Sequence, residues 1–417
     1  MTSNSLALGM HRVPLAHKTL DAYAPVVGED IVSELKTLAR PLQGARVAHI
    51  SATARGGGVA ELLLALVPLM RSAGLDAEWQ VITGTDAFFT VTKSMHNALQ
   101  GMPLALTPEM RAIYLEVNRA NAASFADDFD FVVVHDPQPA PLREMRASAR
   151  GTWIWRSHID LTHVNAAYWA FLQPYLQTYD AAIFTMPAFV SPDLQVKTVA
   201  IIPPAIDPLS QKNVTLPDDE VRRLVAARGV DPLRPLLVQV SRFDPWKDPL
   251  GVIDVYRAVR QHIPGVQLVL LGALAHDDPE GAHYYELTLA HAGSDPDIHI
   301  LMNTHGEREV NAFQRHASVI VQKSLREGFG LTVTEGLWKA RPVVGSNVGG
   351  ISLQITDGVT GYLVETVAQT VSRVLDVLRD PSAAAAMGQR GHEVVRHQFL
   401  STANLGNYLR LFNQLKP

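Results

Sequence analysis

Residues 45–74 read ARVAHISATARGGGVAELLLALVPLMRSAG, and this stretch decides the fold. Its opening run of apolar and β-branched residues predicts a buried strand. Gly56, Gly57 and Gly58 then mark a tight turn, and the apolar-periodic segment after them predicts an amphipathic helix. Strand, turn and helix in that order form the unit from which parallel sheets wrapped by helices are built. Ligands of such sheets gather beyond the carboxyl ends of the strands, among the turns and helix N-termini.

The same alternation continues outward from this stretch. Further strands are predicted in AEWQVIT, FVVVHD, TWIWRSH, AAIFT and VAIIPP, with PEMRAIYLEVNRANAASFAD as a helix between two of them. A Pro-rich polar stretch from Pro203 to Asp219 interrupts the pattern. A second strand series opens at PLLVQVSRF, runs through VQLVLLG, IHILMN, ASVIVQ and PVVGS, and ends in mostly helical sequence. The fold class is therefore α/β, with two Rossmann-like doubly wound domains. The break falls in the region 205–233, and the expected division is 1–218, 219–395 and a C-terminal helix over 396–417 that packs near the domain junction.

With 417 residues, 47% of them hydrophobic and 18% charged, the chain has the length for two or three domains and the balance of an ordinary globular protein. A formal net charge of −5 carries no basic excess that would point to nucleic acid. The lack of cysteine excludes a disulfide framework and a thiolate metal site. The opening MTSNSLALGMHRVPLAHKTL has no basic segment followed by a long apolar run, and no stretch has the length and apolarity of a transmembrane helix. A cytoplasmic protein without a membrane partner is expected.

Three segments carry chemistry. The turn at Gly57 and Gly58 lets backbone N–H groups approach an anion at a helix N-terminus, although it matches neither a Walker loop nor a dinucleotide fingerprint, and a merely tight turn reads the same way. In VSRFDPWKD, Arg242 and Lys247 lie on a loop entering a helix, where they can meet phosphate oxygens; taken alone, they are a pair of solvated surface charges. In REGFGLTVTEG, Glu327 follows a strand, glycines turn the chain, a helix begins near Leu331, and Glu335 lies one turn inside it. Backbone amides can there hold phosphate while carboxylates accept hydrogen bonds from sugar hydroxyls. Glutamates that merely compensate a helix dipole are the plainer alternative.

Together these segments resemble the retaining GT-B glycosyltransferases, two Rossmann-like domains with an interdomain cleft. The mark of that family is a glutamate, seven residues and a second glutamate, matched by Glu327 and Glu335 in EGFGLTVTE. The stretches ARGGGVAELL, VTKSMHNALQG, VHDPQPAPL, WRSHIDLT, PPAIDPLSQKN and VSRFDPWKDP are similar to the trehalose synthase and trehalose phosphorylase branch, over nearly the whole chain. The resemblance implies transfer of glucose from a nucleoside diphosphate glucose to glucose with an α,α-1,1 linkage, in a reversible reaction. A phosphorylase using glucose 1-phosphate is the alternative, because the shared motifs do not separate the two.

By resemblance, Glu335 holds the donor ribose, Glu327 the transferred glucose, and Arg242 and Lys247 the diphosphate. Gly57, Gly58, Gly328, Phe329, Gly330 and Leu331 complete the donor set. His158 of WRSHID faces donor glucose and acceptor, and counts with Arg242, Lys247 and Glu327 as catalytic. Lys93, Asn97, Asp136 and Gln138 are candidates to hold the acceptor, and each can equally cap a turn or helix. His135 reads as a strand-end histidine. Without a carboxylate nucleophile, the family implies front-face attack, with leaving-group phosphate taking the acceptor proton.

Asp128-Phe129-Asp130 and Asp295-Pro296-Asp297 have the spacing of a metal-binding Asp-x-Asp, but sit in polar connections before strands, where loop and cap roles are expected. No cofactor or metal is required; Mg2+ accompanying the nucleotide is compatible, as is a homodimer. A nonenzymatic sugar-nucleotide sensor on the same scaffold is the reading of another class. A nicotinamide dehydrogenase lacks its fingerprint here.

Overall fold

Runs of Val, Ile and Leu that are apolar on both faces suit strands covered on both sides, and they form two largely parallel sheets. The computed structural model describes residues 9–126, 128–272 and 279–416, so the first eight residues of the opening segment lie outside the described part. The strands are β1 (His11–Arg12), β2 (Arg46–Ser51), β3 (Asp76–Val81), β4 (Phe131–His135), β5 (Thr152–Arg156), β6 (Ala181–Phe184), β7 (Thr198–Ile201), β8 (Leu236–Val240), β9 (Gln267–Gly272), β10 (Ile298–Met302), β11 (Val319–Gln322), β12 (Val343–Ser346) and β13 (Tyr362–Val364).

The first sheet has the order β1-β3-β2-β4-β5-β6-β7 and the second β10-β9-β8-β11-β12-β13. Every pairing is parallel except β1 with β3, where His11 and Arg12 lie antiparallel to Val81 and Gln80. These are the doubly wound domains expected from the alternation. The edge strands β1 and β13 escaped sequence reading because two or three residues show no periodicity. Each sheet reverses its order once, between β2 and β4 and between β8 and β11, and such a reversal opens a crevice at the carboxyl ends of the strands.

The two compact units are Met1–Pro204 with Ser401–Pro417, and Ala205–Leu400. The first sheet is covered by a core that includes Trp153, Trp155, Tyr114, Phe88 and Tyr168, the second by one that includes Leu237, Val252, Tyr256, Leu268 and Val344. The break at 204/205 precedes the expected one at 218. Hydrogen bonds explain the difference: Asn311 Nδ2 donates to the carbonyls of Gln211 (2.9 Å) and Val214 (2.8 Å), and Arg315 to that of Asn213 (3.1 Å), tying residues 211–214 to the helix Glu307–His316.

The C-terminal segment also divides differently from the expected single helix over 396–417. The helix Pro381–Gln398 stays with the second unit, and a separate helix, Ser401–Leu415, belongs to the first. There Phe412 stacks on Phe131 (centroids 4.4 Å apart), and Asn413 Nδ2 donates to Leu38 O (2.9 Å).

In the second unit the helix Pro381–Gln398 backs the short helix Leu331–Trp338 that carries Glu335, and glycine permits the approach. A Cβ on Gly388 would lie 2.1 Å from the carbonyl oxygen of Ala340, and one on Gly391 2.7 Å from Leu337 Cδ2. Main chain cannot yield as a flexible side chain can. Gly388→Ala is expected to destabilise the protein by about 1–3 kcal/mol, the usual cost of overpacking. Urea unfolding of the variant beside the parent checks this.

Candidate active site

Most residues expected to bind the donor collect at the carboxyl ends of β8 and β11, whereas Gly57 and Gly58 lie in the first unit after β2. Past β8 the chain makes a single turn, Pro245–Lys247, and Asp248 then takes the left-handed conformation (φ 47°) that starts the helix Pro249–Arg260. The Asp248 carboxylate accepts from Gly251 N (3.1 Å) and pairs with Lys323, which follows β11. Gln239 Nε2 donates to Lys247 O (2.7 Å), and Leu325 N donates to Trp246 O (2.8 Å). The loops after the two strands therefore hold each other in place.

On that frame Lys247 Nζ is ion-paired with Glu327 Oε2. Ser324 Oγ donates to the same carboxylate oxygen (3.3 Å) and accepts from Gln322 Nε2 (3.1 Å). Arg242, half exposed, lies 3.4 Å from the buried Asp244 carboxylate. Gly330, at φ 84°, caps the helix Leu331–Trp338, and a Cβ there would press on Glu327 Cγ at 3.2 Å. Glycine thus lets the Glu327 side chain fold beside the helix start. Gly328, Gly330 and Leu331 are partly exposed along this turn, whereas the Phe329 side chain is buried against Phe399 with ring centroids 5.5 Å apart. Only main chain of Phe329 can therefore serve a ligand, and its carbonyl already accepts from Gln354 Nε2 (2.6 Å).

Glu335 lies inside the helix as expected, but only 1% of it is exposed. Its carboxylate accepts from Gln314 Nε2 (2.7 Å) and lies 3.5 Å from Lys212 Nζ. Beneath it Lys339 is buried and donates to Asn213 Oδ1 (2.9 Å); burial pushes its pKa down to about 7, against the upward pull of Glu335. Lys212 is within the PPAIDPLSQKN stretch noted in the sequence, whereas Gln314, Lys323 and Lys339 carried no local signal.

In the first unit the expected residues lie at the carboxyl ends of β2, β4 and β5. Gly56 and Gly57 adopt φ of 73° and 83°, and exposed Gly58 opens the helix Gly58–Ser72. Asp136, just past β4, is held in the left-handed region (φ 64°) by main-chain bonds: its N–H donates to Arg156 O (2.8 Å), and its carbonyl accepts from Trp155 Nε1 (3.0 Å). Its carboxylate accepts from His158 N (2.8 Å). Burial pushes the Asp136 carboxyl up to about 7, against the opposing effects of that N–H and of the Arg156 guanidinium.

The structure thus joins Asp136 and His158 directly. Gln138 is in the same loop, its carbonyl accepting from Asn118 Nδ2 (3.0 Å) and its Oε1 buried without a protein partner. Lys93 and Asn97 stand one turn apart on a separate element, the helix Asp86–Leu99. His135, read as a plain strand-end histidine, lies 2.9 Å from the His158 ring and 3.0 Å from the His49 ring.

The two Asp-x-Asp segments serve main chain and arginines. Asp130 Oδ2 accepts from Arg46 N (2.8 Å), and Asp128 pairs with the Arg46 side chain. Asp295 pairs with Arg260 (2.6 Å) and Asp297 with Arg234 (2.7 Å). Among the described residues, no group of three or more His, Asp or Glu side chains is arranged to hold a metal ion, and no helix is long and apolar enough to cross a membrane.

Comparisons with known proteins match the two halves of the chain to different family models. Residues 49–191 match the family of the trehalose synthase N-terminal domain, and residues 223–394 match glycosyl transferases group 1. A trehalose synthase of Rubrobacter xylanophilus is 51% identical over 97% of this chain and 99% of its own. A trehalose phosphorylase of Grifola frondosa is 29% identical over 94% of this chain and 60% of its own. Among solved structures, a sucrose-phosphate synthase of Thermosynechococcus elongatus superposes with a TM-score of 0.70 at 19% identity, covering 89% of this chain and 99% of that one, a likeness of fold.

Removing the Glu335 carboxylate takes the acceptor from Gln314 and the nearby negative charge from Lys212 and buried Lys339. Glu335→Ala is expected to cost about 3–5 kcal/mol of stability, the range for breaking a buried pair, whereas Glu335→Gln keeps an acceptor for its neighbours and costs less. Denaturant unfolding of both variants tests this; equal stability to the parent would mean the carboxylate is not needed for the packing around it.

Proposed function

The chain belongs to the trehalose synthase family of GT-B glycosyltransferases, and on that premise we propose that it transfers glucose, with retention, from a nucleoside diphosphate glucose to glucose, forming α,α-trehalose reversibly. The observation that carries this reading is the pairing of Lys247 with Glu327 at the carboxyl ends of β8 and β11, with Arg242 on the same loop. A cation at such a place suits the diphosphate, and a carboxylate beside it suits sugar hydroxyls.

In the proposed reaction the anomeric C–O bond to the diphosphate breaks, and its electron pair stays on the leaving oxygen. Arg242 and Lys247 stabilise that charge, which is larger in the transition state than in the bound donor. The acceptor hydroxyl attacks on the same face, and a leaving-group phosphate oxygen takes its proton. No enzyme nucleophile is called for. Glu335 holds the ribose, which requires Lys212 to share the carboxylate, and Asp136 and His158 meet the sugars. Mg2+, where it takes part, comes with the nucleotide.

Greater identity over the full relative favours the synthase over the phosphorylase. Product analysis separates them. Incubation with several nucleotide-glucoses and glucose is expected to yield nucleoside diphosphate and a nonreducing α,α-1,1 disaccharide. Product from glucose 1-phosphate alone would assign a phosphorylase, and binding without any release would assign a sensor.

Loss of one preorganised donor to a leaving group typically costs about 10²–10³ in rate. Lys247→Ala is therefore expected to lower kcat by that factor in a folded protein. Steady-state kinetics together with circular dichroism would detect the alternative, near-normal turnover from a cation that serves only the surface.

A further inference from the structure

His49 of β2, His135 of β4 and His158 beyond β5 form a continuous row. His49 Nδ1 lies 3.0 Å from His135 Nε2, and His135 Nδ1 lies 2.9 Å from His158 Nε2. The His135 and His158 planes are 14° apart, and those of His49 and His135 32°. His49 and His135 are 0% and 1% exposed, and only His158 reaches the partly exposed end. We propose that His49 and His135 are positioning residues that fix the tautomer of His158, so that its Nδ1 presents an N–H to a sugar oxygen.

A neutral imidazole has one N–H and one lone pair. Burial favours that neutral form in each ring: it pushes His49 down to about 3 and lowers His135 and His158 well below the usual histidine range, with the Arg156 guanidinium acting in the same direction on the latter two. The row then has two self-consistent arrangements. In one, His158 Nε2–H donates to His135 Nδ1, His135 Nε2–H donates to His49 Nδ1, and the remaining proton sits on His49 Nε2. In the other all three protons occupy Nδ1: His49 donates to His135, His135 donates to His158 Nε2, and His158 Nδ1–H points out of the row.

Both arrangements make the same two internal bonds, so the ends decide between them. His49 Nε2 is buried, with no protein group at hydrogen-bond distance; its ring neighbour Tyr408 stands edge-on with centroids 5.8 Å apart. A buried N–H without an acceptor is rarer and costlier than an under-used lone pair. The second arrangement is therefore favoured, and it makes His158 a neutral donor that cannot act as a base. This inference rests on the reading of His158 as a site residue only for its consequence in catalysis.

Long-range 1H–15N correlation on the full chain with 15N-labelled histidine reads the tautomers directly. At pH 7 without sugar, His49, His135 and His158 are each expected to show a protonated Nδ1 and a bare Nε2, the reverse of the form free histidine prefers. A protonated Nε2 on His158 would overturn the proposal. His135→Leu removes the donor to His158 Nε2, so the preference of His158 for the Nδ1–H form is expected to weaken, with kcat falling about tenfold, the scale of one orienting hydrogen bond. If that variant misfolds, the spectrum of the parent protein still decides. Should His158→Ala turn over normally while the tautomers are as stated, the site reading fails and the row stands. Loss of turnover with a reversed tautomer has the opposite meaning.

Discussion

Each parallel sheet reverses its strand order once, and at that point the loops that leave neighbouring strands separate to opposite faces. Core side chains cannot fill the resulting crevice, so polar groups and bare main chain stand there instead. In the second unit the reversal brings the loop after β8, with Arg242 and Lys247, beside the loop after β11, with Lys323 and Glu327. In the first, β2, followed by Gly57 and Gly58, pairs with β4, followed by Asp136.

Charge is handled differently at the two places. In the second unit nearly buried cations are matched to carboxylates: Lys247 to Glu327, Lys323 to Asp248, and Lys212 to Glu335. An unmatched buried charge would be costly, so a ligand there must exchange one partner for another. The diphosphate and ribose of the proposed donor would offer the anion and the hydroxyls for that exchange. In the first unit, burial instead removes charge from His49, His135 and His158 and raises the Asp136 carboxyl. Neutral donors and acceptors suit an uncharged sugar.

Much of this was legible from local pattern. Apolar runs of strand length, the glycine turn at residues 56–58 and the spacing of Glu327 and Glu335 are properties of contiguous residues, so they survive without knowledge of neighbours. The division of the chain was less legible. Residues 205–217 look like a linker because they are Pro-rich and polar, but their carbonyls are acceptors for Asn311 and Arg315, about a hundred positions away.

By itself, then, the sequence determined the two doubly wound units, the order of their central strands along the chain, and the segments that present cations, carboxylates and open main chain. Only the tertiary structure decided which of these meet. His49 and His135 touch because β2 pairs with β4 across an intervening strand and three helices, and Glu335 acquires Lys212 and Gln314 because the 205–217 segment and the helix Glu307–His316 fold over it. Strand order and long-range hydrogen bonds depend on packing between distant residues, and no local period records them.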